Sequence, residues 1–369
     1  MLASQAEFLI PVSQGARMEP AVAVVDHTPY AEGANRWHIA IWLLACCALV
    51  FAMVVVGGIT RLTHSGLSIV EWQPVVGAIP PFSDTQWHEV FNKYQQTPEY
   101  QKLNHGMPLE EFKQIFWWEY FHRLLGRTIG IIFLLPLLYF ILSRRVDRRL
   151  AAGLSGIFLL GALQGAVGWY MVKSGLVDDP RVSQYRLTAH LGLAFLIFAA
   201  MLWTALSVLT PRPAARDPAR HQLYRYALGL SALIFLMVLS GGFVAGIRAG
   251  LAYNTFPLMN GHVVPPEYLL LEPWYRNLFN NMAAVQFNHR LIAWLVALSV
   301  LVFWLRSRGA QMGARARLAC NALVLTLALQ ITLGISTLLL VVPVALAATH
   351  QAGAMLLFAN SLWVSHELR

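Results

Sequence analysis

Four histidines inside long apolar segments are the residues of this sequence best suited to chemistry. Ionisable side chains in such segments are costly, and they usually mark functional sites. One lies on the second and one on the fourth apolar segment of each half of the chain: His122, His190, His289 and His350. Two imidazoles that converge across a helix bundle are a natural axial pair for a heme iron. A single histidine can instead be a hydrogen-bonded partner between helices, but the duplicated pair favours two bis-histidine heme sites.

A carboxylate accompanies only one of these pairs. Glu119 precedes His122 by three residues and therefore shares its helix face, whereas Gln286 occupies the matching place before His289. An amide suits a site that only binds, and a carboxylate suits a site that moves protons or stabilises positive charge. We predict that the N-terminal half is reactive, with Glu119 as its catalytic residue, and that the C-terminal half holds an electron carrier.

Arginines near the same segments admit two interpretations. Glu119 can pair with Arg123 or Arg127, or point toward the lipid headgroups, instead of acting in catalysis. A guanidinium also binds carboxylates with two parallel hydrogen bonds, which suits the propionates of a heme. The candidates for such contacts are Arg61, Arg123, Arg248 and Arg290. Interfacial placement of long basic side chains explains them equally well.

Other metal centres fit the sequence less well. Glu119 and His122 form an E-x-x-H pair, but a di-iron site needs a second such pair and a carboxylate from each of two further helices. The second half offers Gln286 instead, and the remaining apolar segments offer no carboxylate. Catalytic zinc usually takes three protein ligands, and no close His/Cys spacing appears. The three cysteines all fall in apolar segments and predict no disulfide framework: Cys46, Cys47 and Cys320.

The elements that must position these residues are membrane helices. Of 369 residues, 57% are hydrophobic and 12% charged, whereas soluble domains are about 25% charged. Lipid admits only helices or closed barrels, and about 20 apolar residues span it as a helix. We predict an all-α polytopic protein with eight transmembrane helices, near 38–60, 115–141, 151–172, 185–210, 222–247, 282–305, 316–341 and 344–365.

The two halves of the chain resemble each other. "VGGITRLTHSGL" leaves the first apolar segment and "SGGFVAGIRAGL" the fifth, each with Gly-Gly followed by a basic residue, Arg61 or Arg248. "LQGAVGWYM" on the third segment matches "LQITLGIST" on the seventh. An even number of crossings in each unit makes the repeats parallel. We therefore predict two pseudo-symmetric four-helix bundles, 38–210 and 211–369, after an N-terminal tail, 1–37.

Charge predicts the orientation. The net charge is +9, and arginines concentrate in the connections after the second, fourth and sixth segments, where only Asp147 and Asp217 offset them. The positive-inside rule then places both termini in the cytoplasm and the loops 61–114 and 248–281 outside, with all four histidines near the outer face. No soluble basic domain exists that would bind nucleic acid. Residues 1–37 lack the features of a signal or transit peptide, which favours a bacterial inner membrane.

Several motifs, in this order, resemble the heme A synthase family in its proteobacterial and mitochondrial form: "GGITRLTHSGLSIVEWQPVVGAIPP", "WWEYFHRLLGR", "YNTFPLMNG" and "NHR" with "THQ". The resemblance covers residues 38 to 365. It implies eight transmembrane helices in two bundles and oxidation of the C8 methyl group of heme O to a formyl group, commonly pictured as successive hydroxylations. Some bacterial members carry a cysteine pair in the outer loops, which this chain lacks, so no thiol-dependent step is carried over.

The resemblance also assigns roles to residues. It implies a heme b whose iron is held by His289 and His350, a substrate heme at His122 and His190, and an acidic residue of the reaction at Glu119. Heme A then serves cytochrome oxidase. The implied partners are heme O as substrate, heme O synthase, cytochrome oxidase assembly factors and membrane lipid, and a homo-oligomer is left open.

Two other functions stay open on the sequence. A di-heme b-type membrane cytochrome that takes electrons from quinol fits the four histidines, but the difference between Glu119 and Gln286 then has no purpose. A transporter fits the parallel repeats, although the ionisable residues cluster near one face. The long segment 82–112 is either a lid or a docking surface.

Overall fold

A computed structural model of the protein describes residues 34–72, 76–176, 180–210 and 218–369. Most of the predicted N-terminal tail therefore lies outside the described residues. The described ranges contain α1 (Ala34–Leu62), α2 (Asp84–Gln95), α3 (Pro98–Lys102), α4 (Leu109–Leu142), α5 (Arg148–Lys173), α6 (Gln184–Leu209), α7 (Pro218–Gly246), α8 (Asn277–Asn280), α9 (Met282–Arg308), α10 (Ala314–Leu339) and α11 (Val344–Leu368).

Each predicted apolar segment forms one long helix. Seven of these helices are long and apolar enough to cross a membrane: α1, α4, α5, α6, α7, α9 and α10. The helix α11 is not among them, because polar residues interrupt its apolar run at 349–351 and again at Asn360 and Ser361. The all-helical membrane class is confirmed, whereas the eighth crossing stays a prediction.

The long helices pack as two rings of four. In the first ring α1 and α5 each pack against both α4 and α6, and in the second ring α7 and α10 each pack against both α9 and α11. The rings meet where α6 packs against α7 and where α11 packs against α1 and α6. One hydrophobic core continues through both rings. Because of this order, α4 and α6 occupy opposite corners of one ring, and α9 and α11 opposite corners of the other.

The helix α11 uses its polar side chains inside the protein. Asn360 Nδ2 donates to Thr326 Oγ1 on α10 at 3.1 Å. Gln351 Nε2 donates to the Val54 carbonyl on α1 at 2.8 Å and so joins the two rings. An unsatisfied polar group in an apolar medium costs several kcal/mol, so these bonds allow a comparatively polar helix to occupy the centre of the fold.

The segment 82–112 forms a cap on the N-terminal turns of α4. The helix α4 has 34 residues and is about 51 Å long, well beyond the roughly 30 Å of a hydrocarbon core. The cap, formed by α2 and α3, packs on α4 through an aromatic cluster: Trp87, Phe91, Tyr94, Phe112, Phe116 and Tyr120. This packing explains why α4 begins at Leu109 rather than near residue 115. His122 therefore lies deeper within its helix than the other three histidines do.

Candidate active site

The fold brings the four histidines together as two pairs. His122 on α4 and His190 on α6 lie within electrostatic range of each other, and so do His289 on α9 and His350 on α11. Both pairs join opposite corners of a ring. The two histidines of each pair therefore stand on opposite helices of one ring, and their role as heme ligands stays a prediction.

In the first ring, glycines of neighbouring helices lie directly against the imidazoles. A Cβ atom placed on Gly57 of α1 would lie 2.9 Å from His122 Cε1, and one on Gly168 of α5 would lie 2.9 Å from His190 Cε1. Gln164 Nε2, one turn before Gly168, donates to the His190 carbonyl at 3.0 Å. Carbon atoms pack best at about 3.5–4.0 Å, so a side chain at either glycine would displace the ring.

The second ring repeats these contacts. A Cβ atom on Gly334 of α10 would lie 2.8 Å from His350 Cε1, and Gln330 Nε2 donates to the His350 carbonyl at 3.0 Å. A Cβ atom on Gly241 of α7 would lie 3.4 Å from the ring of His289, which is an ordinary contact. The sequence analysis missed these glycines and glutamines as site residues, although the signal was present: both ring-contacting pairs stand in the matching motifs "LQGAVGWYM" and "LQITLGIST".

The ligand set suits a group that brings its own ligands to a metal. Within the described ranges, no group of three or more His, Cys, Asp or Glu residues could hold a metal ion. A histidine pair supplies two ligands, and a porphyrin supplies the other four. Ser240 Oγ lies 2.8 Å from His289 Nδ1, and such a partner leaves the other ring nitrogen for a metal. Buried Nδ1 atoms without a hydrogen-bond partner occur at His122, His190 and His350, and also at His366 near the end of α11; each such atom calls for an explanation, and a bound metal supplies one for the paired histidines.

Glu119 is fixed by four hydrogen bonds. Its side chain is 2% exposed. Oε1 accepts from Arg123 Nε at 3.0 Å and Nη2 at 2.6 Å, and Oε2 accepts from Ser68 Oγ and the Ile69 amide, both at 2.8 Å. Glu119 thus forms an ion pair with Arg123, which the sequence analysis gave as an alternative to a catalytic role. These bonds hold the carboxylate one helical turn from His122, on the same face of α4.

The second ring keeps the arginine without the carboxylate. Arg290 Nη2 donates to the Tyr253 carbonyl at 3.1 Å, as Arg123 Nη2 does to the Ile69 carbonyl at 2.8 Å. Gln286 Nε2 donates to Tyr253 as well, at 3.0 Å. In the described structure, the buried Nε and Nη1 atoms of Arg290 and the Oε1 atom of Gln286 have no hydrogen-bond partner. Unpaired buried donors on a cation are costly, so this pocket suits a ligand with an anionic group.

Two further basic residues lie between the rings. Arg61 Nη2 donates to the carbonyls of Ala245 and Gly246 at 3.0 and 3.3 Å. Arg248 Nη2 lies 3.1 Å from His64 Nδ1. His64 and Arg248 follow the Gly-Gly pair of their half at the same spacing, and both have a positive φ angle, 55° and 57°. His64, rather than Arg61, is therefore the counterpart of Arg248.

The cysteines carry no part of the site. Cys46, Cys47 and Cys320 are buried and free. They lie on α1 and α10, where the sequence placed them in apolar segments.

Comparison with known proteins decides the family. The COX15-CtaA family, described as cytochrome oxidase assembly protein, matches residues 40–362. The chain belongs to this family. A heme A synthase of Nitrosospira multiformis is 68% identical over 332 residues, which cover 90% of this chain and 93% of the relative.

More distant members agree. A heme A synthase of Nitrosomonas eutropha is 58% identical over 336 residues, 90% of this chain and 94% of the relative. The Arabidopsis thaliana protein named heme A synthase COX15 is 45% identical over 346 residues, 91% of this chain and 75% of the relative. The family and the heme A synthase function predicted from the sequence are thus confirmed. The alternative of a di-heme cytochrome finds no support among these relatives.

Proposed function

We propose that the protein converts heme O to heme A by oxidising the C8 methyl group to a formyl group, through successive hydroxylations. The relatives named heme A synthase support the reaction. One difference between the rings supports the placement of the reaction in the first ring. The Glu119 carboxylate is fixed one turn from His122, whereas the equivalent residue of the second ring, Gln286, is neutral. The enzyme is accordingly an oxidoreductase, with the reactive site in the first ring.

His122 and His190 hold the iron of the substrate heme in this proposal. They stand on opposite corners of the first ring, and the glycine contacts at Gly57 and Gly168 set the position of each imidazole. The close approach of the backbone there leaves no room for a side chain beside either ring. Placement by rigid backbone keeps the methyl group of the substrate in one position, which favours reaction at a single carbon.

His289 and His350 hold a heme b in the second ring, where a bound heme supplies a one-electron carrier. Ser240 orients the His289 imidazole. The unpartnered Nε and Nη1 atoms of Arg290 suit a heme propionate, because a guanidinium binds a carboxylate through two parallel bonds. Arg61 and Arg248 lie between the rings and are further candidates for propionate contacts.

Glu119 accepts protons that the methyl group loses and stabilises positive charge that develops beside the porphyrin. Arg123, Ser68 and Ile69 keep its oxygens in place, so the carboxylate needs no reorganisation during the reaction. Arg123 donates two hydrogen bonds to Glu119, one to the Ile69 carbonyl and one to the Glu71 carbonyl. Its donors are therefore used to position Glu119 rather than to bind a heme propionate.

Eight membrane crossings and a parallel repeat complete the proposal. The bundles are 38–210 for substrate heme and 211–369 for heme b, after a cytoplasmic tail at 1–37. The matching ring contacts of Gln164 and Gln330 support the repeat, and the central position of α11 supports its crossing. The charge distribution supports cytoplasmic termini, heme sites toward the outer face, and a bacterial inner membrane. Heme O synthase upstream and cytochrome oxidase assembly factors downstream are the expected partners.

Heme extraction tests the proposal. Purified wild type, Glu119→Gln and Glu111→Gln are compared by chromatography, with Glu111 as an exposed carboxylate on the first turn of the same helix. We expect the Glu119→Gln protein to keep its type b heme and to accumulate heme O or a hydroxylated intermediate without heme A, while Glu111→Gln behaves as wild type. Normal heme A in the Glu119→Gln protein would show that Glu119 is structural and would overturn the assignment.

A further inference from the structure

A hydrogen bond between the two rings lies directly beside the histidine pairs. Gln351 follows His350 on α11, and its Nε2 atom donates to the Val54 carbonyl on α1 at 2.8 Å. Within a helix this carbonyl also accepts from the amide four residues later, that of Gly58, and a carbonyl oxygen has two lone pairs for two such bonds. Gln351 therefore binds one particular turn of α1, residues 54–58.

The same turn of α1 lies against a histidine of the other ring. A Cβ atom on Gly57 would lie 2.9 Å from His122 Cε1, and one on the next residue, Gly58, would lie 2.5 Å from Gln351 Oε1. Glycine at both positions lets each side chain approach the backbone closely. One turn of α1 therefore has His122 of the first ring on one side and Gln351 of the second ring on the other.

The equivalent crossing, between α7 and α6, lacks this hydrogen bond. Gly242 on α7 corresponds to Gly58 in the repeated motif, and a Cβ atom there would lie 2.8 Å from Thr188 Oγ1 on α6. Thr188 Oγ1 is buried and has no hydrogen-bond partner in the part of the chain that the structure describes. In the position of Gln351, α6 carries Leu191, which has no donor. Of these two crossings, only the one between α1 and α11 has a side chain beside a paired histidine that donates to the backbone of the other ring.

We propose that Gln351, although it lies on a helix of the second ring, is a positioning residue for the substrate heme of the first ring. This inference rests on the proposed function, since it concerns the heme held at His122. The bond to Val54 fixes the turn that carries Gly57, and Gly57 limits where the His122 imidazole can stand. Without that bond the imidazole gains freedom that it must lose again when it binds an iron, and binding becomes weaker. Gln351 thus acts on the substrate heme through α1.

Two substitutions on different helices remove the same bond. Gln351→Met keeps a side chain of similar size without the donor. A methyl group in Gly58→Ala would lie 2.5 Å from Gln351 Oε1, and the amide, as the free end of a flexible side chain, would turn away from Val54. The control is Asn360→Leu, which also removes an amide donor from α11, but one that binds Thr326 Oγ1 on α10 at 3.1 Å, within the second ring.

Titration of heme O into purified protein that retains heme b measures the effect, and heme b content by extraction reports that each variant is folded. We expect Gln351→Met and Gly58→Ala each to lower the affinity for heme O about 3- to 10-fold, the effect of one lost hydrogen bond, and to keep most of their heme b. The double variant should be no weaker than the weaker single variant, because both substitutions break one bond. Asn360→Leu should bind heme O as wild type does.

The electron paramagnetic resonance spectrum of the bound heme O gives a second readout. It should change in Gln351→Met, because it depends on the orientation of the axial imidazoles. The proposal is overturned by wild-type affinity and spectrum in Gln351→Met, by a loss confined to heme b, by additive effects in the double variant, or by an equal loss of heme O affinity in Asn360→Leu. If Gln351→Met does not retain heme b, Gly58→Ala decides by the same criteria.

Failure of the proposed function gives a different pattern. A wild type that binds heme O without converting it overturns the proposed function alone, since affinity is measured without turnover. A wild type with no affinity for heme O overturns both.

Discussion

The glycines beside the histidines allow a matched pair of substitutions. Gly57→Ala on α1 places a methyl group 2.9 Å from His122 Cε1, and Gly241→Ala on α7 places one 3.4 Å from His289 Cε1. Both replace a helical glycine by alanine at the same position of the repeat, so their effects on helix propensity are alike. They differ in the distance to the imidazole, which makes the second the control for the first.

The distances set the size of the effect. Carbon atoms pack best at about 3.5–4.0 Å, so the His122 ring must move by roughly 0.6 Å or more, and the His289 ring by roughly 0.1 Å. Protein–metal bond lengths tolerate deviations of about 0.2 Å, and overpacking costs about 1–3 kcal/mol. At about 1.4 kcal/mol for each factor of ten, we expect Gly57→Ala to weaken binding of heme O roughly 10- to 100-fold. Gly241→Ala should change heme b retention by less than about threefold.

Binding is measured by titrating heme O into purified protein and following the absorbance of the heme, and heme b content by extraction. The expected result is loss of heme O affinity in Gly57→Ala at full heme b content, with both properties near wild type in Gly241→Ala. Equal effects of the two substitutions, or wild-type heme O affinity in Gly57→Ala, would refute the reasoning. In the first case the cost would lie in the helix rather than in the contact, and in the second His122 would not hold the substrate iron.

Three further outcomes follow from the site. Arg290→Gln should lower heme b retention in purified protein, because the propionate loses its cation. Arg123→Gln should instead lower heme A formation with heme b content unchanged. The opposite pattern would reverse the assignment of the two rings. Ser240→Ala should shift the electron paramagnetic resonance signal and the midpoint potential of heme b, because His289 Nδ1 loses its partner, and an unchanged spectrum would show that the serine does not orient this ligand. Burial raises the pKa of Glu99 from 4.5 to about 8, so Glu99 ionises at lower pH in the unfolded chain than in the folded protein. The contribution of Glu99 to folding stability therefore falls as pH rises from about 4.5 to about 8, and it is constant above that range. Melting temperature should therefore decline less between pH 5 and 8 in Glu99→Gln than in wild type, and parallel curves would contradict the pKa shift.

The sequence was most informative about the helices and the histidines. Apolar length predicts a membrane helix because lipid leaves the backbone no other hydrogen-bond partner, and every predicted segment is a helix in the structure. The repeated motifs predicted histidines on alternate helices, and the rings place those helices at opposite corners. The family followed from the same motifs. The start of α4 was predicted too late, because four of the residues at 109–114 are polar and the apolar Phe112 packs into the aromatic cluster of the cap rather than into a membrane core.

Contacts between distant segments could not be derived in the same way. The ion pair of Glu119 with Arg123 is local and was foreseen, but its bonds to Ser68 and Ile69 depend on how the chain after α1 folds back on α4. That Arg290 has donors without a partner, whereas each guanidinium nitrogen of Arg123 has one, is known only from the folded structure. Glu99 stands 20 positions before Glu119, in a polar segment whose pattern did not distinguish a lid from a docking surface.

The sequence by itself determined the membrane class, the family and the placement of the four histidines on long apolar helices, since each depends on residue type and on spacing along single segments. Only the tertiary structure decided how closely Gly57 approaches His122, which donors fix Glu119, and that Glu99 comes under the influence of its charge. Those features arise where segments far apart in the chain pack together. Packing distance and burial, which set steric fit and proton affinity, are properties of that assembly rather than of any one segment.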